Sequence, residues 1–143
     1  SAHKDVRLMF FIGKPRSLLN KRLLGSSHEA RACKFLKRQG LRLIKSNFHC
    51  RRGEIDLIMQ DSDNTLVFIE VRFRQNSCYG NAAETVGRKK QERIRTSASL
   101  FLHANPGYRK LSCRFDVVGI SPRPSLEASS EEFEINWIRN AFF

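Results

Sequence analysis

The chain has 143 residues and a formal net charge of +12, with 26 Lys and Arg set against 14 Asp and Glu and a pI near 10.2. That length makes one ordinary domain able to bury a core without staples. The basic excess selects a polyanionic partner: nucleic acid comes before an acidic membrane surface, which would call for a long amphipathic helix or a lipidation signal that the sequence lacks.

The longest apolar run near the start, residues 8–12, is too short to span a bilayer or to serve as a signal-peptide core, so no membrane partner and a cytoplasmic location are expected. Cys33, Cys50, Cys78 and Cys113 are scattered without a CxxC pair, which argues against structural zinc and for four reduced thiols.

Residues 1–25 read as a basic arm, and residues 26–143 as a single domain. Ser26-Ser27-His28-Glu29 fits a capping box that opens a helix, which Gly40 ends. Glu29, Ala32, Cys33 and Leu36 follow the i, i+3, i+4, i+7 spacing, so Glu29 stands at the leading edge of the buried face. Residues 41–50 then form a strand with Leu41, Leu43 and Phe48 inward. The loop Arg51-Arg52-Gly53 leads into a hairpin of residues 53–58 and 66–74 around the turn formers Asp61-Ser62-Asp63-Asn64.

A three-residue loop centred near Asp63 sets Asp56 opposite Glu70. Two carboxylates about 5 Å apart at Cβ repel unless something positive lies between them, and a divalent cation would serve. Alternation places Leu66, Phe68, Glu70, Arg72 and Arg74 on one face and Val67, Ile69, Val71 and Phe73 on the other. Asp56, Glu70 and Arg72 therefore converge on one side of the hairpin while the opposite side packs on the core.

A polar segment over residues 75–81 precedes a helix over 82–102 whose apolar stripe is Val86, Ile94, Ala98 and Phe101, with Lys90 on the same stripe. Pro106-Gly107 breaks the chain, residues 114–120 make another strand, and residues 121–132 form a loop of low order. Residues 135–143 close the core as a strand or short helix. The αβββαβ order predicts an α/β sandwich around a mixed sheet.

Mg²⁺ or Mn²⁺ takes oxygen ligands from one to three carboxylates and often engages a phosphate, so Asp56 and Glu70, joined by Glu29 from the first helix, form a candidate metal site. Such an ion activates water and stabilises the charge of phosphodiester cleavage, and Arg72 would hold the phosphate. Arg51, Arg52, Arg74, Lys90 and Arg93 are the candidate nucleic-acid contacts.

Each of these residues also has a plain structural role open to it. Glu29 suits a helix N-terminus, and Asp56 and Glu70 suit cross-strand pairs with Arg72, Arg74 or Arg52. Glu54 reads as an edge charge, and Asp116 as a structural acid contacting Arg114 or the backbone. His28, His49 and His103 lack metal-ligand spacing, and Cys50 beside His49 has no third group to make a nucleophile.

The sequence resembles the YraN-like family of uncharacterised proteins, within the PD-(D/E)XK restriction-endonuclease-like superfamily, and its layout is similar to archaeal Holliday junction resolvases. Glu29-Ala30, Asn47, the block Gly53-Glu54-Ile55-Asp56-Leu57-Ile58, Val67-Phe68-Ile69-Glu70-Val71-Arg72 with Arg74, and Tyr79-Gly80 carry the resemblance. It continues through Glu84, Val86, Lys90-Gln91, Arg114-Phe115-Asp116-Val117-Val118 and Asn140-Ala141-Phe142.

The resemblance implies a restriction-endonuclease-like αβββαβ core, a mixed sheet flanked by helices. It also implies catalytic and metal-site roles for Glu29, Asp56 and Glu70, with Arg72 at the position usually held by lysine. The implied activity is Mg²⁺- or Mn²⁺-dependent phosphodiester hydrolysis of DNA, branched or processed. A guanidinium stays charged and cannot act as a general base, so the alternative is a non-catalytic nucleic-acid-binding module with a degenerate site. The sequence leaves a homodimer open.

Overall fold

The computed structural model describes residues 16–75, 86–123 and 133–143, with 16–26 as backbone alone. Helix α1 spans Arg16–Arg38 and so begins ten residues before the expected cap at Ser26. Residues 16–24 are rich in Leu, Arg and Lys, which favour helix, and continuing through Gly25 costs only about 1 kcal/mol. The Ser26-Ser27-His28-Glu29 sequence is thus internal, and the capping explanation for Glu29 falls away. Residues 1–15 of the expected arm lie outside the described residues.

The end of α1 follows its sequence signal. Gly40 takes a left-handed φ of 99°, Gly40 N–H donates to Lys37 O at 3.1 Å, and Leu41 N–H donates to Leu36 O at 3.1 Å. This is the Schellman arrangement, with Leu36 and Leu41 both buried beside it.

Five strands follow: β1 (Arg42–Cys50), β2 (Gly53–Gln60), β3 (Leu66–Phe73), β4 (Cys113–Pro122) and β5 (Phe133–Phe142). They lie side by side in chain order, antiparallel except for the parallel β3–β4 pair. Helix α2 (Arg88–Ala104) is the crossover that this parallel pair requires, and a 3₁₀ turn at Pro106–Tyr108 follows it. The segment predicted to begin this helix at residue 82 falls among residues 76–85, outside the described residues, as does most of the expected loop after Pro122. The mixed sheet with two helices is the α/β class expected, consistent with a restriction-endonuclease-like core.

Both faces of the sheet are covered, which corrects the expectation of one charged and one apolar hairpin face. Ile58, Leu66 and Phe68 pack under α2 with Ile94, Ala98 and Phe101. Leu57, Met59, Val67 and Ile69 pack under α1 with Ala32 and Leu36. Glu70 shares its strand face with two core residues, so only the end of the sheet is left for charge. Phe142 joins the core under α2, whereas Phe143 is exposed. Among the described residues, no helix is long and apolar enough to cross a membrane.

Candidate functional site

The hairpin that builds the site closes as expected. Asp61 N–H donates to Thr65 O at 2.9 Å, enclosing Ser62, Asp63 and Asn64, and Asn64 takes the left-handed φ of 69° that this loop needs. The ladder runs from Gln60↔Leu66 to Leu57↔Ile69 and stops one step short of the expected Asp56–Glu70 pair.

At that step the regular pattern ends. Val71 N–H donates to Asp56 Oδ2 at 2.8 Å, so a side chain takes the place of a ladder partner. On the other side, Asn47 is opposite Asp56 in the β1–β2 register and has φ 52°. Asparagine visits this region at low cost. Ile55 packs under α2 together with Ile58, although residues three apart on a regular strand face opposite ways. The pleat is broken at Asp56.

Glu29, from the middle of α1, comes within hydrogen-bonding reach of Asp56 and Asn47. Glu70 is also within reach of Asp56. Lys90, from the first turn of α2, places Nζ 2.6 Å from Glu70 Oε1, and Arg72 Nε stands 3.6 Å from the same oxygen. The structure therefore brings together Glu29, Asp56, Glu70, Arg72 and Lys90.

Burial pushes the carboxyls up. Asp56 is raised to about 6, by desolvation first and by the charge of Glu29 next, against the stabilising bond from Val71 N–H. Glu70 is raised to about 7 by desolvation and by Asp56, with Lys90 and Arg72 pulling the other way. Glu29 is raised by burial as well. These are crowded, buried acids, and Lys90 and Arg72 offset only part of the cost of burying Glu70.

A hard divalent cation fits this donor chemistry. Carboxyl oxygens are its ligands of choice, and Glu29 Oε2 is buried with no hydrogen-bond partner. Asp56 and Glu70 would hold the ion, with Glu29 adjoining and water completing the shell. A closed cage is not preformed: among the described residues no group of three or more His, Cys, Asp or Glu side chains is disposed to hold a metal.

Beside the acids lies a groove of about 620 Å³ lined by residues 49–54 with Lys90, Arg93 and Ile94. It gathers Arg51, Arg52, Lys90 and Arg93, four of the five predicted nucleic-acid contacts. Arg74 is not in the lining; it follows β3, where its N–H donates to Ile120 O at 2.8 Å. Gly53 allows the groove floor to approach α2, since a Cβ there would meet Ser97 Oγ at 3.2 Å and Arg93 Cβ at 3.4 Å, with φ at 153°.

The other charges take structural parts. Glu54 pairs with His49 at 3.2 Å on the exposed edge. Asp116, fully buried, accepts from Arg114 Nε at 3.1 Å, Trp137 Nε1 at 2.9 Å and Asn140 N–H at 2.9 Å, the satisfied acid expected. Cys50 Sγ lies 3.3 Å from Ser97 Oγ. Cys33, Cys50 and Cys113 are free, and Cys78 lies outside the described residues. Asn47 is a member of the site beyond the residues expected from sequence, through its contact with Glu29. Its signal was an asparagine, tolerant of left-handed backbone, in an otherwise β-forming run.

Residues 28–120 match the profile of the "Uncharacterised protein family UPF0102". Over 118 residues the chain is 48% identical to the UPF0102 protein of Pseudomonas syringae pv. syringae, covering 82% of this chain and 91% of the relative. It is 46% identical over 118 residues to that of Stutzerimonas stutzeri (82% and 92%) and 42% identical over 118 residues to that of Nitrosococcus oceani (82% and 90%).

Proposed function

We propose, from the premise that this chain belongs to the uncharacterised protein family UPF0102, the YraN-like family, that it is a metal-dependent nuclease-like protein binding DNA and hydrolysing its phosphodiester bonds. The observation that carries the reading is the trio Glu29, Asp56 and Glu70, with acidities weakened by burial, beside a groove lined with Arg51, Arg52, Lys90 and Arg93. Stability alone gives little reason to crowd acids at the end of a sheet.

Asp56 and Glu70 would hold Mg²⁺ or Mn²⁺, with Glu29 holding Asp56 in place or adding a ligand. The ion, when bound, activates water and neutralises charge on the phosphate. Arg72 grips the phosphate as a fixed cation, and the groove arginines carry the flanking backbone.

A second reading is a nucleic-acid-binding module without catalysis. The Lys90–Glu70 contact supports it, since an ammonium 2.6 Å from a carboxylate already supplies the positive charge a metal would bring.

Incubating the protein with duplex, single-stranded and branched DNA in Mn²⁺ or Mg²⁺ separates the two. The nuclease reading expects metal-dependent cleavage that disappears in Asp56→Asn and Glu70→Gln and rises in Arg72→Lys. Cleavage that survives both acid substitutions refutes this site. Salt-sensitive binding without cleavage on any DNA form, in wild type and Arg72→Lys alike, establishes the binding module.

A further inference from the structure

Next to the acids, α1 and the sheet are joined by rings. His28, the residue before Glu29, stacks on Phe73 with centroids 4.1 Å apart and planes 9° from parallel, and meets Phe133 edge-on at 6.4 Å. Arg31, one turn along α1, lays its guanidinium over the Phe133 ring at 3.7 Å. Phe73 ends β3 one residue beyond Arg72, and it is 39% exposed, unusual for a ring in a five-stranded sheet with both faces covered.

The chemistry of this corner is that of a π-surface with a cation at its side. The buried Nδ1 of His28 has no hydrogen-bond partner, so the ring is held by its aromatic contacts. Aromatic rings that pack only for stability bury their faces. Here one member of a parallel stack keeps more than a third of its surface in water.

We infer that His28 and Phe73 form a stacking platform for an unpaired nucleobase of DNA whose neighbouring phosphate lies at Arg72. This rests on the nucleic-acid reading above and narrows its substrate to strands with at least one unstacked base: single strands, flaps or junctions. Three arguments select this occupant. A base offers a flat π-face, which matches the exposed Phe73 ring of the parallel stack. Its phosphates complement Arg31 and Arg72 in a chain of net charge +12. Phe73 faces the opposite side of β3 from Glu70, and α1 links the two: His28 precedes Glu29, which comes within hydrogen-bonding reach of Asp56, so a base adjoining a phosphate at the acids reaches the rings round the end of the sheet. An intact duplex, with its bases stacked on one another, has no face to offer.

The test uses metal-free full-length protein and oligonucleotides carrying 2-aminopurine, whose emission is quenched on stacking, so that no cleavage is needed. Single-stranded DNA with the probe should quench on binding. Phe73→Leu, which keeps an apolar side chain, should abolish the quenching and weaken single-strand affinity roughly 5- to 100-fold, from the energy of one stacked base, while duplex affinity stays level. His28→Gln should act in the same direction. A strand of the same length with abasic sites should bind wild type no better than the base-bearing strand binds Phe73→Leu.

Equal affinity of wild type for abasic and base-bearing strands, or unchanged quenching in Phe73→Leu, overturns the platform while leaving DNA binding and nuclease activity intact. Binding to no DNA at all overturns both.

Discussion

Lys90 Nζ rests 2.6 Å from Glu70 Oε1, joining the half-exposed first turn of α2 to a buried carboxyl on β3. Glu70 is the acid most in need of this charge, since burial and Asp56 together raise it to about 7. Lys90→Met should move Glu70 further up and leave it largely neutral at pH 7. A carbon-detected NMR titration of the Glu70 carboxyl measures this, and an unmoved titration curve would remove Lys90 from the site.

Asp56 and Glu70 also set a pH dependence for folding. Their folded values, about 6 and about 7, lie above the ordinary 3.8 and 4.5, so the native state binds more protons than the unfolded chain in between. Their contribution is most favourable at about pH 4 and is lost as pH rises through 7. Glu70→Gln should therefore be roughly 1–3 kcal/mol more stable than wild type at pH 8 and close to wild type near pH 4. Urea unfolding at the two pH values reads the difference, and equal effects at both would contradict it.

Binding of a divalent cation has to displace those protons. Mn²⁺ should raise the melting temperature at pH 8 and do so far less at pH 5.5. Asp56→Asn should lose the shift at both. A pH-independent shift, or one retained in Asp56→Asn, would place the ion elsewhere.

Asp116 serves as a structural counterpart to the site. Its carboxylate collects Arg114, Trp137 and the Asn140 backbone in a fully buried position between β4 and β5. Asp116→Ala should cost about 3–5 kcal/mol, because the Trp137 indole and the Asn140 N–H lose their acceptor and Arg114 keeps only Asp61. Denaturation followed by Trp137 fluorescence, from the single tryptophan of the chain, gives the value directly.

The groove arginines should behave as phosphate contacts. Replacing Arg52 or Arg93 by Gln should weaken DNA binding to a similar degree across sequences, and each change should reduce the slope of log affinity against log salt by about 1. Gly53→Ala should impair binding indirectly, since the new Cβ meets Ser97 and Arg93 and strains a φ of 153°. Salt titrations of the three variants show whether the groove is the contact surface.

Much of this layout can be read locally. The turn formers around Asp63 set the hairpin register, because the loop they favour closes from Asp61 to Thr65 and fixes which residues of β2 and β3 face each other. Gly40 marks the end of α1, since only a residue free to take φ near 99° closes that Schellman turn. Ser26 misleads for the converse reason. A capping sequence acts only where the preceding residues are not helical, and the Leu- and Arg-rich segment before it continues the helix.

The sequence by itself determined the charge, the order of elements and the hairpin that carries Asp56 and Glu70, because charge is additive and a hairpin is set by neighbours along the chain. Tertiary structure alone decided that Glu29 and Lys90 reach those acids from two different helices, that both sheet faces are buried, and that His28 meets Phe73. Such contacts join residues tens of positions apart. They depend on how the helices cross the sheet and on the break in the pleat at Asp56, which no local pattern specifies.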